Sequence, residues 1–161
     1  MKKIFLLILL LLLSIKLNAE GEPNNSYLQA NPLQLNSSDN GNLFYTDGQN
    51  YDNEDWWFVV LPQDGSLYVE VNSTNDLDID LYIYDIDGTT SIASYDISVG
   101  QKESTHHNAL KAGKYFIKAV RYRGSGSYTI FNRFTQAPYL NDSEPNDSFE
   151  NALLLNLNSE S

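Results

Sequence analysis

DIDLYIYD, residues 78–85, puts Ile79, Leu81 and Ile83 on one side of an extended chain and Asp78, Asp80, Tyr82 and Tyr84 on the other. Successive side chains of a strand point to opposite faces, so a period of two predicts a strand with one face in a core and one toward water. Asp76 falls on the same outward row. SLYVEV (66–71) repeats the pattern with Leu67, Val69 and Val71 inward. WWFVVL (56–61) and KYFIKAVRY (114–122) are rich in aromatic and β-branched residues, and SYTIFNRF (127–134) alternates again. Turn-forming groups separate these runs: PQDG at 62–65, DIDG at 85–88, KAGK at 111–114 and GSGS at 124–127, the last reading as a flexible hairpin. Short strands at this spacing, with almost no helical periodicity after residue 54, predict an all-β protein, an antiparallel sandwich or jelly roll. Residues 20–135 are enough for one core.

The sandwich is preceded by a different kind of segment. Residues 1–19 carry Lys2 and Lys3, an apolar run from Ile4 to Leu13 and a small residue, Ala19, at a cut point, the layout of a secretory signal peptide. A membrane-spanning helix needs about 20 apolar residues, so the expected product is secreted and extracellular, with no membrane attachment after cleavage. The chain has no Cys, so its fold must be held by its core, by metal, or by both. Without Lys2, Lys3 and Lys16, seven basic residues stand against 21 acidic ones, and the formal charge moves from -11 to -14. Nucleic-acid binding needs clustered Lys and Arg and is excluded on this balance, which suits cation binding instead. All seven bases lie between Lys102 and Arg133, while residues 20–101 carry only acids. Pairing of the two halves would offset much of the repulsion.

One acidic phrase occurs twice. EGEPNNSYLQA (20–30) returns as DSEPNDSFENA (142–152), each ahead of a leucine-containing stretch. Only the first copy is followed by a full set of strands. Residues 136–143 read as a linker and 144–161 as the start of a second, incomplete repeat.

EPNNS followed by NPLQLN, then DNEDWWFVVLP, DGSLYVEV, DLDIDLYIYDIDG and LKAGKYFIKAVRYRGSGSYTI, resembles in order and combination the bacterial pre-peptidase C-terminal (PPC) domain, a family that includes the collagen-binding domains of clostridial collagenases. The resemblance implies a jelly-roll β-sandwich appended to secreted proteases and other exported hydrolases, with no catalysis of its own. It also implies calcium bound between the N-terminal segment and an acidic loop that leads a strand. By position, EGEPNN supplies Glu20, Glu22, Asn24 and Asn25, and DNED supplies Asp52 and Asp55. The family often has Asp where Asn25 stands, which lowers the charge of the site here. Calcium takes roughly six to eight oxygens at about 2.3–2.6 Å, a demand that six oxygen-bearing side chains in two clusters meet. Pro23 fixes one φ and restricts Glu22, which holds the segment extended. The alternative is that Glu22 and the asparagines cap a turn and the two aspartates are solvated.

Other signals are weaker. DLDIDLYIYDIDG lacks the glycine and the terminal Glu of an EF-hand loop. His106 and His107 are adjacent, so on a strand they face opposite ways and cannot readily share a metal. HExxH and GxSxG are absent. Tyr82, Tyr84 and Tyr122 are candidates for an aromatic strip that grips an extracellular protein or polysaccharide surface. The expected function is that of a non-catalytic, monomeric accessory module that mediates adhesion for a larger exported protein. A calcium-rigidified spacer or folding aid is the alternative, and a secreted hydrolase the third reading.

Overall fold

The computed structural model describes residues 20–46, 50–74, 76–95, 102–137 and 150. The expected signal peptide, the 136–143 linker beyond Ala137 and the 144–161 repeat apart from Glu150 lie outside these residues. Ten strands occur among them: β1 (Asn31–Pro32), β2 (Ser38–Thr46), β3 (Asn50–Asp52), β4 (Glu54–Leu61), β5 (Gly65–Ser73), β6 (Asp78–Tyr84), β7 (Ser91–Tyr95), β8 (Lys102–Leu110), β9 (Gly113–Arg123) and β10 (Gly126–Gln136). They form two five-stranded sheets, ordered β1-β4-β9-β6-β7 and β3-β2-β10-β5-β8. The fold is the predicted all-β sandwich. Every pairing is antiparallel except β1 with β4, where Asn31 lies opposite Trp57 and Pro32 opposite Phe58.

Alternation decides the core. Leu67, Val69 and Val71 of β5 and Ile79, Leu81 and Ile83 of β6 all point between the sheets, none more than 1% exposed. They meet Trp57 and Val59 of β4, Ile117 of β9 and Ile130 of β10. Trp56, on the other side of β4, is nonetheless buried. Tyr27 of a 3₁₀ turn (Tyr27–Gln29) stands edge-on to it at 6.2 Å, Tyr84 lies 4.9 Å away, and the Lys118 ammonium sits 5.3 Å from its ring. The DIDG turn makes room for that cover, because a Cβ on Gly88 would come within 2.4 Å of the Tyr27 ring.

Two details depart from the sequence reading. GSGS does not close a hairpin, since β9 and β10 belong to different sheets and the turn carries the chain across the sandwich. Gly124 takes φ +75° there, and a Cβ would stand 1.4 Å from the Asp76 carbonyl, so glycine is required for the close approach. Asp78 is not on an open face either: a register shift between Asp78 and Ile79 coincides with its burial, and Arg123 Nε lies 3.6 Å from its carboxylate.

Leu81, fully buried at the centre of this arrangement, provides a test of where the core sits. Leu81→Ala should cost about 2–5 kcal/mol, read as a lower urea midpoint at unchanged m-value. Val60→Ala, on the exposed side of β4, should stay within about 0.5 kcal/mol of wild type.

Candidate metal centre

The chain crosses from the second sheet to the first between Asp52, the last residue of β3, and Glu54, the first of β4. Asn53 alone makes the crossing. Its carbonyl accepts from the Arg121 backbone N–H (2.8 Å) and its side-chain oxygen from Arg121 Nε and Nη2 (3.0 and 2.7 Å). The acidic loop expected ahead of Trp56 is therefore a single residue, and both aspartates are strand residues. Asp55 shares the inward side of β4 with Trp57 and Val59 and is fully buried; Asp52 is 4% exposed.

Residues 20–24 form a strap across this corner. Glu20 Oε1 accepts from the Asn42 backbone N–H of β2 (2.5 Å). The Asn31 side chain of β1 holds both the N–H and the carbonyl of Gly21 (3.2 and 3.0 Å). The Asn24 carbonyl accepts from the Trp56 N–H of β4 (3.0 Å), and the Asn24 N–H donates to Glu22 Oε2 (3.1 Å). The Glu22–Pro23 peptide bond is cis. The strap is thus bonded to both sheets at once, which carries its side chains to Asp52 and Asp55.

Carboxylate oxygens of Glu20, Glu22 and Asp55 lie within 4.8 Å of one another. Two oxygens on one ion at about 2.4 Å are separated by at most about 4.8 Å, so this spacing fits a shared cation. Glu20 Oε2, Asp52 Oδ2, Asp55 Oδ1 and Asn24 Oδ1 are buried and accept no hydrogen bond. Buried polar atoms without partners are rare, and here four oxygens lack one, together with the Asn24 amide nitrogen. The donors are hard oxygens, suited to calcium, magnesium or manganese rather than to a thiolate-loving metal. Asn25 enters differently. In the orientation that satisfies its neighbours, its amide nitrogen donates to the Glu54 carbonyl and to Asp52 Oδ1 (2.9 Å each). It steadies Asp52 and turns its oxygen elsewhere.

Crowding of acids shifts their protonation. Burial, followed by the charges of Asp55 and Glu22, pushes the Glu20 carboxyl up to about 9. Burial and the charges of Asp55, Glu22 and Glu54 raise Asp52 to about 7. Burial raises Asp55 to about 6, against the opposing pull of the Tyr128 hydroxyl, which donates to Asp55 Oδ2 (2.5 Å). Tyr128 is itself held protonated by burial and by Asp55. Among the described residues none of these acids makes an ion pair.

Glu20, Glu22 and Asp55 thus form the carboxylate set close enough to share one ion, with Asn24 on the same strap; Asp52 neighbours that set without belonging to it, and Asn25 bonds Asp52. The tyrosines are less uniform. Tyr82 and Tyr84 share the outer face of the first sheet, rings 6.4 Å apart, but both are half-buried and Tyr84 packs on Trp56. Tyr122 of β9 is 68% exposed. Sequence reasoning missed Tyr128 and the Asn42 backbone. The alternation of SYTIFNRF could have turned Tyr128 inward, but which acid it would meet depends on pairing across 73 residues.

Comparison with known proteins agrees with the fold. Residues 53–120 match the sequence profile of the bacterial pre-peptidase C-terminal domain. Among solved structures, the pre-peptidase C-terminal domain of a Bacillus anthracis collagenase is similar at 19% identity and a TM-score of 0.53, covering 65% of this chain and 94% of that one. TmCBM61, solved with β-1,4-galactotriose, covers 62% of this chain and 70% of its own at 15% identity and a TM-score of 0.37. CsCBM6-3 from Clostridium stercorarium, solved with cellobiose, covers 52% and 67% at 13% identity and 0.30. No curated protein matches. Among the described residues no helix is long and apolar enough to cross a membrane.

The raised acids set a pH dependence whose sign follows from linkage. Each binds its proton more tightly folded than unfolded, so its contribution is fully present below the unfolded values, 3.8 for Asp and 4.5 for Glu, and is lost as pH rises through about 6 to 9. In excess chelator the melting temperature should therefore fall between pH 5 and pH 9, as followed by circular dichroism. Asp55→Asn should flatten that slope.

Proposed function

We propose that this chain, a sandwich carrying the pre-peptidase C-terminal domain pattern over residues 53–120, is a non-catalytic accessory module of a larger exported protein, closed at one corner by calcium and used for adhesion to an extracellular polymer or surface. The observation that carries the calcium reading is the set of buried, unpartnered oxygens on Glu20, Asn24, Asp52 and Asp55, with Glu22 beside them. Their removal from water is costly unless a positive charge compensates it. The ligands on this reading are Glu20, Glu22, Asn24, Asp52 and Asp55, with Asn25 holding Asp52. Calcium tolerates such an irregular set, whereas magnesium demands near-octahedral geometry and keeps its waters. Bound there, it would supply the missing charge and tie the strap to both sheets.

Adhesion rests on less, and a specific observation favours the spacer as a second reading. Of the three tyrosines expected to form an aromatic strip, Tyr82 and Tyr84 are half-buried, and only Tyr122 is among the exposed large apolar side chains of the described residues. Co-sedimentation with insoluble protein fibres and with polysaccharides separates the two. Adhesion predicts retention that Tyr122→Ala reduces several-fold; a spacer is retained by neither material.

The calcium reading is tested by thermal unfolding of the chain from Glu20 onward, with calcium and then with excess chelator. A ligand bound only by the folded form stabilises it by about 2.7 kcal/mol at 100 times Kd. Asp52→Asn combined with Asp55→Asn should abolish the calcium-dependent shift, and a shift that survives in the double variant rejects these ligands.

A further inference from the structure

Tyr128 is 2% exposed, and its hydroxyl stands between two groups of the opposite sheet. Trp57 Nε1 lies 2.9 Å from it and Asp55 Oδ2 lies 2.5 Å from it. The direction of both hydrogen bonds is settled by chemistry. An indole N–H can only donate, so the phenol accepts there and its single proton goes to the carboxylate. Asp55 Oδ2 is occupied as a result, and Oδ1 is the oxygen left without a partner.

The sequence around β2 accommodates this ring. Gly41 is the residue opposite Tyr128 in the β2–β10 pairing, and a Cβ there would come within 2.1 Å of Tyr128 Cζ. The residue after Gly41 is Asn42, whose backbone N–H binds Glu20. One bare backbone position therefore admits the phenol beside the strand that anchors the strap.

We propose that Tyr128 is the positioning residue of the cation site, fixing Asp55 as a one-oxygen ligand and linking occupancy of the site to the buried indole of Trp57. The proposal rests on the calcium reading above. A cation on Oδ1 draws electron density from the carboxylate, which changes how strongly Oδ2 accepts from the phenol and how the phenol accepts from the indole. The relay transmits occupancy into the core through hydrogen bonds, with no movement of a strand required.

The experiment is a calcium titration of the chain from Glu20 onward, by calorimetry and by tryptophan emission with Trp56→Phe as background, so that Trp57 is the single reporter. Tyr128→Phe keeps the ring and removes the hydroxyl. It should weaken calcium binding about tenfold or more, the scale of a hydrogen bond to a charged group, and abolish the calcium response of Trp57. Tyr115→Phe removes a phenol that bonds the Lys111 carbonyl at the far end of the sandwich, and should lower the melting temperature with no change in calcium affinity. Gly41→Ala, which displaces the phenol while keeping its hydroxyl, should act as Tyr128→Phe does, and decides the matter if that variant does not fold. Equal calcium affinity and an unchanged Trp57 response in a folded Tyr128 or Gly41 variant would overturn the proposal, leaving Tyr128 a structural tether. Failure of the wild-type chain itself to bind calcium would instead bring down the reading on which the proposal rests.

Discussion

Carboxylates that converge where two sheets meet must be discharged, protonated or compensated, and that requirement shapes one whole corner of this protein. Asp55 is fully buried because it sits on the inward side of β4, a position that alternation would give to a core residue. Asp52 is brought beside it because one residue, Asn53, carries the chain between sheets. The strap then adds Glu20 and Glu22. Each neighbour supplies part of what burial takes away: the Tyr128 hydroxyl to Asp55, the Asn25 amide to Asp52, the Asn42 N–H to Glu20. Asp55, Asp52 and Glu20 each still keep one buried oxygen without a partner. Local hydrogen bonds orient these groups, and their raised pKa values mean that the cluster holds protons where isolated carboxylates would be charged; on the proposed reading a cation replaces those protons.

Part of the remaining charge is paired within the protein. Lys102 pairs with Glu70 (3.0 Å), Lys111 with Asp64 (3.3 Å), Lys118 with Glu54 and Arg123 with Asp78 (3.6 Å). In every case an acid from the first part of the chain meets a base from the last, across neighbouring strands or adjoining turns. The sequence asymmetry, no base between residues 20 and 101, is thus partly offset by topology: β9 lies between β4 and β6, and β8 lies against β5. The more exposed of these pairs contribute little individually, but together they reduce like-charge repulsion. Lys114 and Lys118 serve a second purpose by lying over Phe58 and Trp56, where their stems cover aromatic faces that alternation turns outward.

The fold was legible in the sequence because it rests on a short-range signal. Leu67, Val69, Val71, Ile79, Leu81 and Ile83 each follow a period of two that any sheet must obey, and all six point inward. Partners were not legible. Nothing local in GSGS distinguishes a hairpin from a corner that changes sheets, and the outcome there depends on the approach of Asp76 from a distant segment. The candidate ligands were found through the resemblance and the chemistry of their oxygens, but their roles were not separable. Asn25 and Asn24 are adjacent and alike, yet one turns its nitrogen to Asp52 and the other buries its side-chain oxygen without a partner. Tyr128 could be placed only once β4 and β10 were known to face each other.

The two ends of the sandwich handle their acids differently. At the far end, Asp64 accepts from the Ala112 N–H (2.7 Å), pairs with Lys111, and its carbonyl takes the Ala137 N–H (2.9 Å). That closure joins an acid from the turn after β4 to a base from the turn before β9. At the strap end, the segments that meet at 20–25, 42 and 52–55 all come from the part of the chain that has no base. Arg121 reaches this end, but it donates to Asn53 and to the Gly124 carbonyl and fixes the crossing itself. Both ends tie down loose chain with a carboxylate. One has a lysine from its own sequence to balance the charge, and the other has none within residues 20–101, which is the imbalance that the proposed cation would offset.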